Sequence, residues 1–267
     1  MLARLTAVEM RRALHRRLVI WMIVIAAAGN FLVGLIVFLS SQDSAYYPQA
    51  EGNPARMVNW WSPDDGGYFL ITAAVFLIIG AVICGASIAG AEWRAGTMTT
   101  MLTWVPSRVR LHLARTSSAG LLAFVISFLL QIVYLLSAMP AVIFHGDTGG
   151  TDAAWLVALL LAMIRISFIT MLVAVLAVNI ATIGRNTSAA LIAIATWVLI
   201  LERMAVGFWP RTAPYMITEN VVTVVPWAQL NGVGFERSPI VALLILVMYL
   251  TTVVIAATVL FARRDVS

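Results

Sequence analysis

Residues 90–115 read "GAEWRAGTMTTMLTWVPSRVRLHLAR". Four arginines and a glutamate stand in this stretch, and long apolar runs flank it on both sides. Met98, Met101, Leu102 and Val105 recur at helical spacing, with Thr97, Thr99, Thr100 and Thr103 between them, which predicts a short amphipathic helix. Pro106 ends it, and Ser107 starts a second helix that runs through Val109 and Leu113 into the next apolar run. A polar elbow of two helices joining two apolar runs points to a polytopic helical membrane protein.

Composition agrees. Of 267 residues, 62% are hydrophobic and 11% charged, against about 25% charged in soluble domains. Six apolar runs approach or exceed the ~20 residues that a membrane helix needs: Leu18–Ser40, Tyr68–Gly90, Ala119–Phe144, Ala154–Ile180, Ser188–Met204 and Pro239–Phe261. They are continuous rather than alternating, which suits helices and not a barrel. The first run is too long for the apolar core of a signal peptide and is read as a retained helix. The lone cysteine, Cys84, lies inside the second run, so no internal disulfide can form. No repeat stands out. The expectation is an all-α fold, one membrane domain over residues 1–267 with an amphipathic N-terminal arm over 1–17.

All 17 basic residues are arginine. Twelve fall in alternate segments: Arg4, Arg11, Arg12, Arg16 and Arg17 in the arm, Arg94, Arg108, Arg110 and Arg115 in the elbow, then Arg185, Arg263 and Arg264. Only Arg56, Arg211 and Arg237 fall in the opposite set, where Asp43, Glu51, Asp64, Asp65, Asp147, Asp152, Glu219 and Glu236 gather. Positive charge stays in the cytoplasm, so both termini are expected there after six crossings. The formal charge of +5 then reflects topology, not a nucleic-acid partner.

Helix-start signals fit these spans. Ser62-Pro63 with Asp64 and Asp65 opens span two, Thr151 and Asp152 span four, Asn186 to Ser188 span five, and Ser238-Pro239 span six. Between spans five and six, segment 205–238 mixes Phe208, Trp209, Tyr215 and Trp227 with three prolines. It reads as an interfacial or re-entrant outer segment, which is tolerated at membrane depth only under protein cover.

Catalytic chemistry finds no footing. A nucleotide-binding P-loop needs a lysine that reaches the phosphates, and the chain has none. "GDTGGTD" at 146–152 is glycine-rich without that lysine. His15, His112 and His145 are scattered, so no metal site is expected, and no catalytic residue is assigned.

Two charges stand inside spans. Arg165 is near the middle of span four and should face protein or water. Glu202 lies towards the outer end of span five, about 10 Å away in depth at ~1.5 Å per residue, and an interhelical Arg165–Glu202 pair is expected. Ala81, Gly85 and Ala89 form one small-residue face of span two, suited to close helix approach; packing within the chain is expected, and an interface with a second copy is the alternative.

The run Glu92-x-Arg94-x-Gly96-Thr97, then Met101-Leu102, then Pro106-Ser107-Arg108 and a basic Arg115 resembles the cytoplasmic loop of bacterial type 2 ABC-transporter permeases. The likeness extends to the basic arm, the six spans and the re-entrant outer segment. The chain departs from the family pattern in having no residue between the proline and its Ser-Arg pair, and arginine where lysine is common.

The resemblance implies that segment 91–117 is a coupling loop, with Met98 to Val105 as a coupling helix seated in an ATPase subunit. It also implies that the arm, through Glu9, Arg12 and Arg16, is a connecting helix against the same subunit. Spans two and five would line a central pathway between two permease copies, which nominates Phe69, Phe76, Trp197 and Met204. ATP and magnesium would bind the separate ATPase, leaving no cofactor in this chain. The expected function is the permease subunit of an exporter for a lipid, peptide or antibiotic, in the bacterial plasma membrane among its lipids. A membrane scaffold or assembly factor recruiting cytoplasmic partners is the alternative. An ion-driven secondary transporter fits less well, since no span carries an acid cluster or a broken pair of helices.

Overall fold

A computed structural model describes residues 2–42, 53–62, 69–97, 103, 107–232 and 235–263. The fold is all-α apart from one pair of short strands. A first helix, α1 (Leu2–Leu14), forms the arm. Among the described residues six helices are long and apolar enough to cross a membrane. They are α2 (Arg17–Ser41), α3 (Phe69–Arg94), α4 (Arg108–His145), α5 (Ala153–Gly184), the composite helix Thr187–Phe208, and α9 (Pro239–Arg263). Each corresponds to one apolar run in the sequence. At 38 residues, α4 is about 57 Å long, well beyond a hydrocarbon core of about 30 Å. Its arginine-bearing first turns are the second helix of the elbow.

The composite helix is the one the sequence renders least faithfully. It consists of α6 (Thr187–Thr196), a π-turn at Trp197–Leu201, and α7 (Glu202–Phe208), so it runs four residues past the expected end at Met204. The segment that follows is folded: a 3-10 turn (Pro210–Tyr215), then α8 (Ile217–Val224), then strands β1 (Leu230–Gly232) and β2 (Phe235–Arg237) as an antiparallel pair. α8 packs on α9, and the Tyr249 hydroxyl donates to the carbonyl of Tyr215 at 2.9 Å.

Helix starts follow the expected caps. The Asn186 side chain accepts from the amides of Ser188 and Ala189. Asp152 accepts from Trp155 N–H at 2.7 Å, while Ser107 and Ser238 accept from Arg110 and Val241 N–H at 3.4 Å each. These bonds satisfy first-turn amides that have no partner within the helix. The Pro63 to Asp65 part of the span-two signal lies outside the described residues.

The chain divides into two compact units interleaved along the sequence. One comprises Arg17–Ile79 and Phe124–Thr170. Within it the segment 53–62 is pinned by buried tryptophans: Trp60 Nε1 donates to Pro54 O, and Trp155 Nε1 to Trp61 O, both at 2.9 Å. Gln131, fully buried, donates through Nε2 to Ser167 Oγ at 2.9 Å and ties α4 to α5. The other unit comprises Met1–Arg16, Gly80–Ala123 and Met171–Ser267. There the small face of α3 is used within the chain, as expected. A Cβ at Gly85 would lie 2.6 Å from the carbonyl oxygen of Ala174, so only glycine lets α3 and α5 approach this closely.

Candidate functional site

The elbow begins where α3 stops, and the stop is built from the Gly-Thr pair. Gly96 adopts φ +65°, a left-handed conformation that glycine takes without a Cβ penalty and that commonly terminates helices. Its amide donates to Trp93 O at 3.3 Å, and the Thr97 hydroxyl reaches Glu92 O at 3.5 Å. The last turn of α3 is thereby closed, with Glu92 on it.

Glu92 carries the site. A carboxylate near a helix C-terminus is opposed by the helix dipole, and this one is 5% exposed. It is held by cations from two other helical segments. Arg16, in the two-residue break between α1 and α2, approaches Oε1 at 2.5 Å and also donates to Ser87 O at 2.9 Å. Arg115, in the second turn of α4, pairs with Oε2. Arg12 stands 3.8 Å from Oε1. Arg115 also reaches Glu9 of α1 at 3.4 Å, and Glu9 pairs with Arg12 at 3.5 Å. Three arginines and two glutamates thus tie the arm, the end of α3 and the start of α4 into one knot.

Glu9 and Arg115 are buried as well. Burial pulls the Arg16 guanidinium below its ordinary range, Glu92 pushes it back up, and neighbouring Arg115 lowers it again. Each buried ion is tolerable only while its partners remain. Removing one member of a buried pair costs about 3–5 kcal/mol, because the survivor is left uncompensated.

Aromatic packing supports the same end. Trp93 meets Phe261 of α9 edge to face, with centroids 6.2 Å apart, and the Arg185 guanidinium lies 4.7 Å from the Trp93 ring centroid. Phe261 also packs on His112, whose Nε2 is 2.9 Å from Asn179 Oδ1. Arg185 has φ +52° and forms the tight link between α5 and α6. Segments from α3, α4, α5 and α9 therefore brace the base of the elbow.

Of the residues expected to couple to a partner, Glu92, Gly96 and Thr97 build this base, and Arg108 opens α4. The side chain of Arg94, and Met98, Met101, Leu102, Val105 and Pro106, lie outside the described residues. Of Glu9, Arg12 and Arg16, expected as one separate set on the arm, the two arginines reach Glu92, and Glu9 joins them through Arg12 and Arg115.

Arg165 and Glu202, expected as a pair, lie in different units, and each has partners of its own. Glu202 is 2% exposed, yet its donors come from nearby in the chain. Oε1 accepts from Trp197 Nε1 and from Ile217 N–H, each at 2.9 Å. Oε2 accepts from Thr218 N–H at 3.0 Å and from the Thr218 hydroxyl at 2.5 Å. Glu202 therefore caps α8 with these fixed dipoles around it. Arg165 donates from Nε to Leu161 O at 3.2 Å and places its guanidinium 5.8 Å from the Trp61 ring.

Trp197 can reach Glu202 because of the π-turn. Residues five apart point about 140° from each other on a regular α-helix; an i→i+5 turn takes in the extra residue and brings them together. Among the pathway candidates, Phe69 stacks on Tyr134 with centroids 4.5 Å apart and packs in a small core with Val37, Ala55 and Ala141. Phe76, Trp197 and Met204 all face outward.

Sequence reasoning noted Arg115 as a basic position but not as the partner of both glutamates. It also missed the π-turn and the Glu202 cap. A carboxylate one turn before a Gly-Thr helix stop, in a chain with a basic arm, was the available signal for the knot. Among the described residues no three His, Cys, Asp or Glu side chains gather as a metal site. No family model matches the chain, and no curated protein matches it.

Proposed function

We propose that this chain is the membrane subunit of an ATP-driven exporter of the type 2 ABC-permease kind, working with separate ATPase subunits and a second permease copy. The observation that carries the proposal is the convergence of Arg12, Arg16 and Arg115 on Glu92, with Glu9 joined to the knot through Arg12 and Arg115. A force applied to the elbow meets a braced base. It therefore passes into α3, α4 and the arm together as a rigid-body movement, and is not absorbed at a loose loop. The elbow is the seat of the ATPase, which binds ATP and magnesium. Both termini lie in the cytoplasm of a bacterial plasma membrane. The apolar, outward-facing Trp197 and Met204 suit an amphipathic or hydrophobic cargo such as a lipid, peptide or antibiotic.

Purification of the full chain from its native membrane, together with site-directed crosslinking, tests this. With Met101→Cys in a Cys84→Ser background, the expected result is a crosslink to a co-purifying ATPase, and nucleotide-dependent transport that Glu92→Ala abolishes. Transport that persists without any ATPase, or a cysteine at 101 that reacts only with reagents added outside intact cells, overturns the proposal.

A further inference from the structure

The arm uses one side of α1 for the knot and leaves another side open. Glu9 and Ala13 face inward and are buried. Arg4, Val8, Arg11 and His15 are exposed and recur at i, i+4, i+7 and i+11, a spacing that lines one stripe of a helix. Val8 is 58% exposed and Leu14, at the stripe's edge, 38%. Arg4 and Arg11 make no ion pair among the described residues, in contrast to Arg12, which leans on Glu9 and Glu92. The arginines of the arm thus divide between an inward set that holds the fold and an outward set that does not.

Two observations identify what covers the outward stripe. Guanidinium and aliphatic groups alternate along it, as on helices that lie in the interfacial layer with their apolar groups at the acyl boundary and their cations among headgroups. Only His15 and Arg16 separate α1 from α2, a helix long and apolar enough to cross the membrane. Two residues span less than about 8 Å even when extended, so the C-terminal end of α1 is held at the bilayer boundary. An acidic protein surface would match the arginines but leave Val8 and Leu14 without a role.

We propose that the Arg4–Val8–Arg11 face of α1 is a binding surface for anionic phospholipid, with headgroup phosphates on the two guanidinium groups and Val8 and Leu14 at the acyl boundary. This inference needs only the membrane-spanning character of the chain and stands apart from the transport reading. It assigns the arm a second role: the knot anchors it to protein, and the stripe anchors it to a chosen kind of lipid.

The test uses the full-length chain, Cys84→Ser and Val8→Cys, labelled at position 8 with an environment-sensitive fluorophore and placed in nanodiscs. One set contains phosphatidylcholine alone and the other phosphatidylcholine mixed with phosphatidylglycerol. The expected result is a blue-shifted probe, quenched by lipid-borne quenchers, that strengthens with phosphatidylglycerol and weakens as salt rises. Arg4→Gln with Arg11→Gln should reduce the preference for phosphatidylglycerol roughly thirtyfold (about 2 kcal/mol, at about 1 kcal/mol per arginine). Native mass spectra of the chain with Cys84 and Val8 retained supply a second readout, with fewer retained phosphatidylglycerol molecules in the double variant. A probe that stays aqueous in both bilayers, a lipid preference unmoved by the double variant, or shielding that appears only when an ATPase subunit is added would each overturn the proposal.

Discussion

Glu92 and Glu202 are both buried carboxylates near the ends of long apolar helices, yet they are satisfied by opposite means. Glu92 is held by Arg16 and Arg115, charged side chains that arrive from the α1–α2 break and from α4. Glu202 is held by backbone amides, a hydroxyl and an indole drawn from residues 197–218. A carboxylate matched by distant cations joins segments and makes them move together. One matched by nearby dipoles builds a local shape. The first arrangement is vulnerable to loss of any partner, since an unmatched charge remains inside the protein. The second loses a few hydrogen bonds, some of which water can replace.

The largest expected effect follows from that contrast. Arg115→Met should destabilise the detergent-purified chain by about 3–5 kcal/mol, read as a fall in thermal midpoint. Adding Glu92→Leu should restore most of the loss, because the stranded charge goes with it. If the double variant is no better than the single, Glu92 is not matched by cations in the way the structure implies. Glu202→Ala should have a smaller effect, about 2 kcal/mol, and a more local one. Hydrogen exchange at the amides of Ile217 and Thr218 should quicken while amides around Glu92 stay protected. Global unfolding instead would erase the distinction between the two sites. The smallest effect is expected from Trp197→Phe, about 1 kcal/mol, since one donor of four is lost. Greater loss than in Glu202→Ala would mean that the indole, and not the carboxylate, organises the turn.

The number and approximate bounds of the membrane helices were legible because continuous apolar runs of this length have few other uses. The caps at Asp152, Asn186 and Ser238 were legible because short polar side chains before an apolar run have a specific task at helix starts. Half of the knot was legible too: the elbow and arm residues were singled out, but as two separate surfaces. What sequence spacing could not supply was the fold-back that brings Glu9 and Arg115 together, a long-range contact that leaves no periodic trace. The cap at Glu202 went unread for a related reason. Depth and charge alone suggested a cation for it, whereas the first turn of α8 presents free amides that need an acceptor and finds one in this carboxylate. The stacking of Phe69 on Tyr134 was equally illegible, since it joins residues far apart in the chain.

The π-turn has one more consequence, which concerns the phase of the helix. A turn with one residue too many shifts everything beyond it by about 100° relative to an uninterrupted helix. Ala189 and Ala193 therefore do not continue into the line that equal counting would assign to α7, although nothing in the apolar composition marks the break. The length of this stretch is thus fixed to the single residue, because the indole of Trp197 must stay in reach of Glu202. Any comparison of its two halves must be made with the clock reset at Trp197.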